Sequence, residues 1–321
     1  MRVLLDTNIW RYLYDSGRAV ELQKRATKRR VEILVAPSVL YETLRVGNPE
    51  LRLGLTNLLA RRCWHRLMPE AYSETEEFKA EVRRLRPDWI WPSVDLTFYK
   101  RLRHDWVRTN GGFWSRVVEK HESERALVAT DSDTFNKLEI MRDIAKSNRK
   151  NALASGFIDK DFGSTQYKVA IKDGGDSVSN QHVEFWRFSG ERVFWHSIFS
   201  GKRSPYLDWM QDEINLNMIS CNRPDFQLFW HEMVDASRMK RCWLRGAIEI
   251  LQMQSPVSSG TPADSALATY LPDADTFVSA DKVFISQIES FQKVAPCHVA
   301  QPVQVQAGSN GVEELFSLII R

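Results

Sequence analysis

The stretch Val3-Leu4-Leu5-Asp6-Thr7-Asn8 decides how the rest of this chain is read. Its three apolar residues, stopped abruptly by polar ones, read as a buried strand, and Asp6 stands where that strand ends. In open α/β sheets the carboxyl ends of the strands are where sites assemble, so a carboxylate placed there matters. A second apolar run, Val31-Glu32-Ile33-Leu34-Val35-Ala36, reads as another buried strand. Ser38 is the expected N-cap of a following helix that carries Glu42 in its early turns.

Near the other end of the sequence, Thr261 reads as an N-cap with Pro262 at the first helical position. That places Asp264 in a first turn, where the helix dipole favours an anion. The run Thr276-Phe277-Val278-Ser279-Ala280 reads as a short strand delivering Asp281 at its carboxyl end. An amphipathic stretch follows it, with Val283, Phe284, Ile285, Ile288 and Phe291 on one face. If the strands are parallel, Asp6, Glu42, Asp264 and Asp281 all reach one edge of the sheet. Carboxylates forced together repel unless protons or cations neutralise them. Hard ions such as Mg²⁺ and Mn²⁺ do this well, because they take oxygen ligands and keep waters that a phosphate oxygen can replace. A carboxylate-only site therefore points to phosphodiester chemistry, in which the metal activates water and stabilises charge on the phosphate.

This ordered set resembles the PIN-domain nucleases: Asp6-Thr7-Asn8 at the first strand, Glu42 after the second, Asp264 in a capped helix, and Ser279-Ala280-Asp281 with its aspartate 17 residues later. Many members carry Asn-Asp at the third position, whereas here Ala263 precedes Asp264. The resemblance implies an α/β fold of three layers, a parallel sheet flanked by helices. It also implies that Asp6, Glu42, Asp264 and Asp281 are both the catalytic residues and the Mg²⁺ or Mn²⁺ ligands, supported by Thr7, Asn8 and Ser279. The implied activity is that of an endoribonuclease on single-stranded RNA, with DNA as the second candidate, and an antitoxin or other protein partner or a homodimer is within the family's range. Two other readings stand beside it. One is a catalytically silent PIN-like module that binds nucleic acid or protein. The other is a phosphatase of the haloacid-dehalogenase type, which asks for a second aspartate where Asn8 stands.

The resemblance covers residues up to about 65 and again from about 225 onward. A chain of 321 residues suits one or two domains, so the expectation is a split core, 1–65 and 225–321, carrying a mainly helical insertion over 66–224. Within the insertion, Glu74, Glu77, Phe78, Val82 and Leu85 make an amphipathic helix stopped by Pro87, and Phe98, Leu102 and Trp106 repeat at four-residue steps. Residues 147–182 are rich in Ser, Asn, Asp and Gly, including Asp173-Gly174-Gly175-Asp176, and read as loop. Val183–Phe185 and Val193–Trp195, flanking Ser189-Gly190, read as a hairpin. The stretch from Leu207 to Ile250 reads as helical again.

Eleven tryptophans are the compositional oddity, and most fall in the insertion, where core packing is the favoured role. The net charge of +3 is mild for a nucleic-acid protein, so local clusters carry the expectation of phosphate contact. The candidates are Arg83, Arg84 and Arg86, and Arg241 with Arg245. The four cysteines show no Cys-x-x-Cys spacing and no secretory leader precedes them, which favours a reduced, cytoplasmic setting over a zinc site or disulfide framework. Asp131 and Asp133 read as helix caps, Asp273 and Asp275 as turn residues. No apolar run reaches the roughly 18 residues needed to span a bilayer.

Overall fold

The computed structural model describes residues 1–130, 147, 150, 166–169, 178–181, 185–199, 204–254 and 261–320. Strands β1 (Arg2–Leu5), β2 (Glu32–Val35), β3 (His65–Arg66), β4 (Thr276–Ser279) and β5 (Gln301–Gln304) form one sheet in the order β3-β2-β1-β4-β5, every pair parallel. Val3, Leu4 and Leu5 are wholly buried, as are Phe277 and Val278 beside them. Continuous apolar runs of this kind belong to parallel strands covered on both faces. Helices flank the sheet: α1 (Thr7–Asp15), α2 (Ala19–Arg29) and the Ser309–Ile320 helix pack together, α3 (Pro37–Leu44), the Lys240–Gln254 helix and the Thr261–Ala268 helix form another group, and α4 (Pro49–Leu59) packs on both α1 and α3.

The order of the strands positions the site. From β1 the chain steps outward to β2 and then β3; when it returns, β4 pairs with the opposite side of β1 and β5 continues outward. Successive connections thus leave β1 and β4 in opposite directions, which opens a crevice beyond their carboxyl ends. Register fixes what lies there: Leu5 aligns with Val278, and the Asp6 amide donates to the Val278 carbonyl at 3.0 Å.

Helix starts differ from the sequence reading in two places. Ala36 is the N-cap of α3 and Pro37 its first residue, so Ser38 is already inside the helix, with its hydroxyl buried and unpartnered. Proline at the first position supplies the pre-set φ that starts this helix without a side-chain cap. In the later helix, described over Thr261–Ala268, Thr261 is already helical rather than a cap.

The middle of the chain is mainly helical where it is described. Helix α5 (Glu70–Leu85) ends before Pro87 as expected, and Thr97–Val107 forms the next long helix. The stretch read as loop contains two strands, Gln166–Val169 and Val178–Gln181, paired antiparallel; Asp173–Asp176 between them lies outside the described residues, as do Asp131 and Asp133. The expected hairpin around Ser189-Gly190 is instead one helix, Phe185–Phe199. Ser189 and Gly190 are small there for packing, not for turning: a Cβ on Gly190 would lie 2.5 Å from the Trp230 ring. Leu207–Ile250 is broken into short helices, with a π-helical turn over Leu228–Met233 before the long return helix Lys240–Gln254.

Most of the tryptophans do serve packing. Trp89, Trp106, Trp114, Trp186, Trp209, Trp230 and Trp243 are buried, and one continuous apolar cluster runs from Val3 and Leu34 through Trp89, Trp186 and Trp230 to Ile319. The helices between β3 and β4 therefore share their core with the sheet. Trp91 is the exposed exception at 36 %, its indole N–H donating to the Gln211 carbonyl at 3.1 Å.

Candidate functional site

Asp6 ends β1 and caps α1: its Oδ1 accepts from the Thr7 amide at 2.6 Å. Its other oxygen, Oδ2, accepts from Asn8 Nδ2 at 2.6 Å and from the Ser279 hydroxyl at 2.5 Å. Ser279 is the last, fully buried residue of β4, and its Oγ in turn accepts from the Asp281 amide at 2.9 Å. Asn8 closes the loop between the two strand ends, since its Oδ1 accepts from the Ala280 amide at 3.2 Å. Asp281 caps the Lys282–Gln292 helix through Oδ1, taking the Val283 and Phe284 amides at 2.8 and 3.0 Å. Glu42 reaches the same place from α3, where its Oε2 accepts from the Thr7 hydroxyl at 2.6 Å. Thr7, Asn8 and Ser279 thus tie Asp6, Glu42 and the start of the Asp281 turn into one hydrogen-bonded cluster.

Asp264 completes the group from the first turn of the Thr261–Ala268 helix. Its pKa is pushed up to about 8, first by burial and then by the charges of Asp6, Asp281 and Glu42, with a weak hydrogen bond from Gln252 at 3.5 Å opposing. Asp6, only 7 % exposed, is raised to about 6: burial is the largest cause, Glu42 and Asp281 add to it, and hydrogen bonds from Ser279 and Thr7 oppose it. The charges of Glu42 and Asp281 are thus felt at both Asp6 and Asp264. Among the described residues, none of the four has an arginine, lysine or histidine as an ion-pair partner.

The donor set is all oxygen, which is the chemistry of a hard divalent cation. Raised carboxylate pKa values express the same deficit in another form, since a site short of positive charge holds protons instead. Among the described residues, no group of three or more acidic, histidine or cysteine side chains is arranged as a ready coordination shell. Asp6 and Asp281 each spend one oxygen on a helix cap, and Glu42 is held by Thr7.

The arginines expected to meet phosphate are committed elsewhere. Arg241 pairs with Asp273 at 2.7 Å and with Glu77 at 3.4 Å, and donates to the Thr269 carbonyl. Arg245 pairs with the fully buried Glu74 at 2.8 Å. Arg83 holds Glu213 at 2.5 Å, Arg84 holds Glu81 at 2.6 Å, and Arg86 holds Asp225 at 2.7 Å. Arg83–Glu213, Arg86–Asp225, Arg241–Glu77 and Arg245–Glu74 fasten α5 and its C-cap Arg86 to segments more than 100 residues away, whereas Arg84–Glu81 lies within α5 and Arg241–Asp273 does not involve it. Sequence reasoning missed Gln252, the polar neighbour of Asp264, because one glutamine inside a helical pattern carries no signal. It also missed the role of α5 as a source of buried carboxylates. The four cysteines are free, and among the described residues no helix is long and apolar enough to cross a membrane. No family model, curated protein or solved structure matches this chain.

Proposed function

We propose that this chain hydrolyses phosphodiester bonds, with single-stranded RNA as the substrate and Mg²⁺ or Mn²⁺ held by Asp6, Glu42, Asp264 and Asp281. One observation carries the reading: four carboxylates from four separate elements gather at the sheet's crevice, where Glu42 and Asp281 help raise the proton affinity of Asp6 and Asp264, and among the described residues no ion-paired cation offsets them. The all-parallel sheet flanked by helices is compatible with a PIN-like fold. When bound, the ion would supply charge stabilisation at the phosphate and a more acidic water.

The chain's own residues prepare the place. Asn8 and Ser279 fix the orientation of the Asp6 carboxylate through Oδ2, and Thr7 fixes Glu42 through Oε2. Such supporting hydrogen bonds hold ligands near their working geometry. With a pKa of about 8, Asp264 keeps a proton at neutral pH while the site is empty of cations, which relieves repulsion that a cation relieves better.

A second reading, a PIN-like module that binds RNA without cutting it, draws on the capping hydrogen bonds of Asp6 and Asp281, which are structural roles in their own right. The two part in one assay. A labelled single-stranded RNA incubated with the full chain should be cut in Mn²⁺ or Mg²⁺ and left intact in excess EDTA. Binding without any metal-dependent product would favour the silent module, and full cleavage in EDTA would remove the metal from the account.

A further inference from the structure

Outside the acid cluster, a cavity of about 150 Å³ lies beside the edge strand β3, lined by Ala60, Arg62, Arg66, Thr109, Trp114 and Glu119 with two neighbours of Trp114's helix. Its walls are short of acceptors. Arg66 stacks over the Trp114 ring at 4.9 Å and spends one nitrogen on the Ala60 carbonyl, while its Nε is buried with no hydrogen-bond partner. Trp114 Nε1 is likewise buried without a partner. Orphaned buried donors are uncommon, and each costs free energy unless a ligand or water satisfies it. Arg62 adds a second positive charge, held only by the Asn110 side-chain oxygen. Among the described residues neither arginine has an ion pair; Glu119, the carboxylate among the lining residues, is exposed and pairs with neither. Burial and the nearby Arg62 both lower the pKa of Arg66, which marks excess positive charge. An arginine still keeps its proton under such conditions.

Two arginines without an ion pair, one of them stacked on the Trp114 ring, line a cavity for an oxyanion. Its volume corresponds to about five waters of liquid, room for a tetrahedral anion and below the roughly 300 Å³ at which drug-sized ligand sites begin. Arg66 also lies close to the acid cluster. It ends β3 in register with Val35, the residue before the α3 N-cap Ala36, and β3 is two strands from β1, a distance of roughly 10 Å.

We infer that Arg62, Arg66 and Trp114 form a phosphate subsite that takes a backbone phosphate of the nucleic acid next to the one at the acid cluster. The phosphate chemistry stands on the cavity alone; the assignment to a nucleic-acid backbone rests on the nuclease reading. Both can be tested without metal, so that failure of the cleavage chemistry cannot be mistaken for failure of the subsite. In EDTA, inorganic phosphate should raise the melting temperature of the full-length protein above that in NaCl of matched ionic strength, and should not do so for Arg66→Gln. Fluorescence anisotropy with a short single-stranded RNA, also in EDTA, should show the log-log salt slope reduced by roughly 0.7 in Arg66→Gln and again in Arg62→Gln. Arg62 is exposed, so Arg62→Gln keeps the test valid should Arg66→Gln fold poorly. Loss of phosphate protection together with a shallower slope supports the subsite. Protection with an unchanged RNA slope would overturn the backbone assignment in favour of free phosphate, and absence of protection in the wild type would overturn the subsite itself.

Discussion

Two groups of carboxylates in this molecule, one around the buried Asp6 and one along α5 with the buried Glu74 and Glu81, sit in opposite electrostatic surroundings. Along α5, Glu74 accepts from Arg245 Nε at 2.9 Å and from the Tyr206 hydroxyl at 2.5 Å, Glu77 faces Arg241, and Glu81 holds Arg84. At the sheet's crevice, Asp6, Glu42, Asp264 and Asp281 face one another. Burial alone does not separate the groups, since Glu77 is also raised to about 8 by burial, against the pull of Arg241. The partners separate them. Where carboxylates hold the fold together, arginines pair with them; at the crevice none does so among the described residues, and the missing charge is what a dissolved cation would bring.

The largest difference should appear in catalysis. Asp6→Asn or Asp281→Asn should lower RNA cleavage roughly 1000-fold, about 4 kcal/mol of transition-state stabilisation. Asparagine caps helices as well as aspartate does, so both variants should stay folded; circular dichroism beside the cleavage assay checks this. Retained activity in both variants would show that the crevice acids are caps and no more.

On α5 the same kind of change should strike stability instead. Arg245→Met strands Glu74 as an uncompensated buried charge, a loss of about 3–5 kcal/mol. For a chain of this size that lowers the melting temperature by roughly 10 °C. A melting curve within 2 °C of wild type, by any order-of-magnitude reckoning of that kind, would place Arg245 outside the ion-pair scaffold.

The smallest expected effects are the most diagnostic. In EDTA, Asp264→Asn should leave the protein equally stable or more stable by about 1 kcal/mol, the scale of one pKa unit of relieved repulsion. The pH dependence has a defined sign. Asp264 is raised from 3.8 to about 8 and Asp6 from 3.8 to about 6, so the folded state holds protons that the unfolded chain has lost. Their contribution is full below about pH 4 and drains away as pH rises through 6 and then 8. Melting temperatures of the metal-free wild type should therefore fall across that range. Asp264→Asn should flatten the upper part of the fall, with Glu77 supplying the remainder. A curve of unchanged shape in Asp264→Asn would mean that its carboxyl is not crowded.

Much of this was legible in the sequence, for a physical reason. The central strands β1, β2 and β4 are buried on both faces and therefore carry the apolar stretches Val3–Leu5, Ile33–Val35 and Phe277–Val278, with Asp6 directly after β1 and Asp281 two residues after β4. The edge strands were illegible: β3 is only His65–Arg66, and β5 is Gln301-Pro302-Val303-Gln304, polar and carrying a proline that edges tolerate. Ser189-Gly190 has the same letters whether a chain turns or two helices approach closely, and only the Trp230 ring decides between them. The arginine clusters failed similarly. A basic run looks alike whether it meets phosphate, solvent or a buried glutamate, and the Arg245 partner Glu74 lies 171 residues away in sequence.

Isothermal titration of Mn²⁺ into the metal-free protein tests the central claim most directly. The account predicts saturable binding to the wild type, with proton release at pH 7 as the cation displaces the proton from Asp264, and binding that is lost or sharply weakened in Asp264→Asn and Asp6→Asn. Absence of Mn²⁺ binding by the wild type, or binding undiminished in both variants, would contradict it.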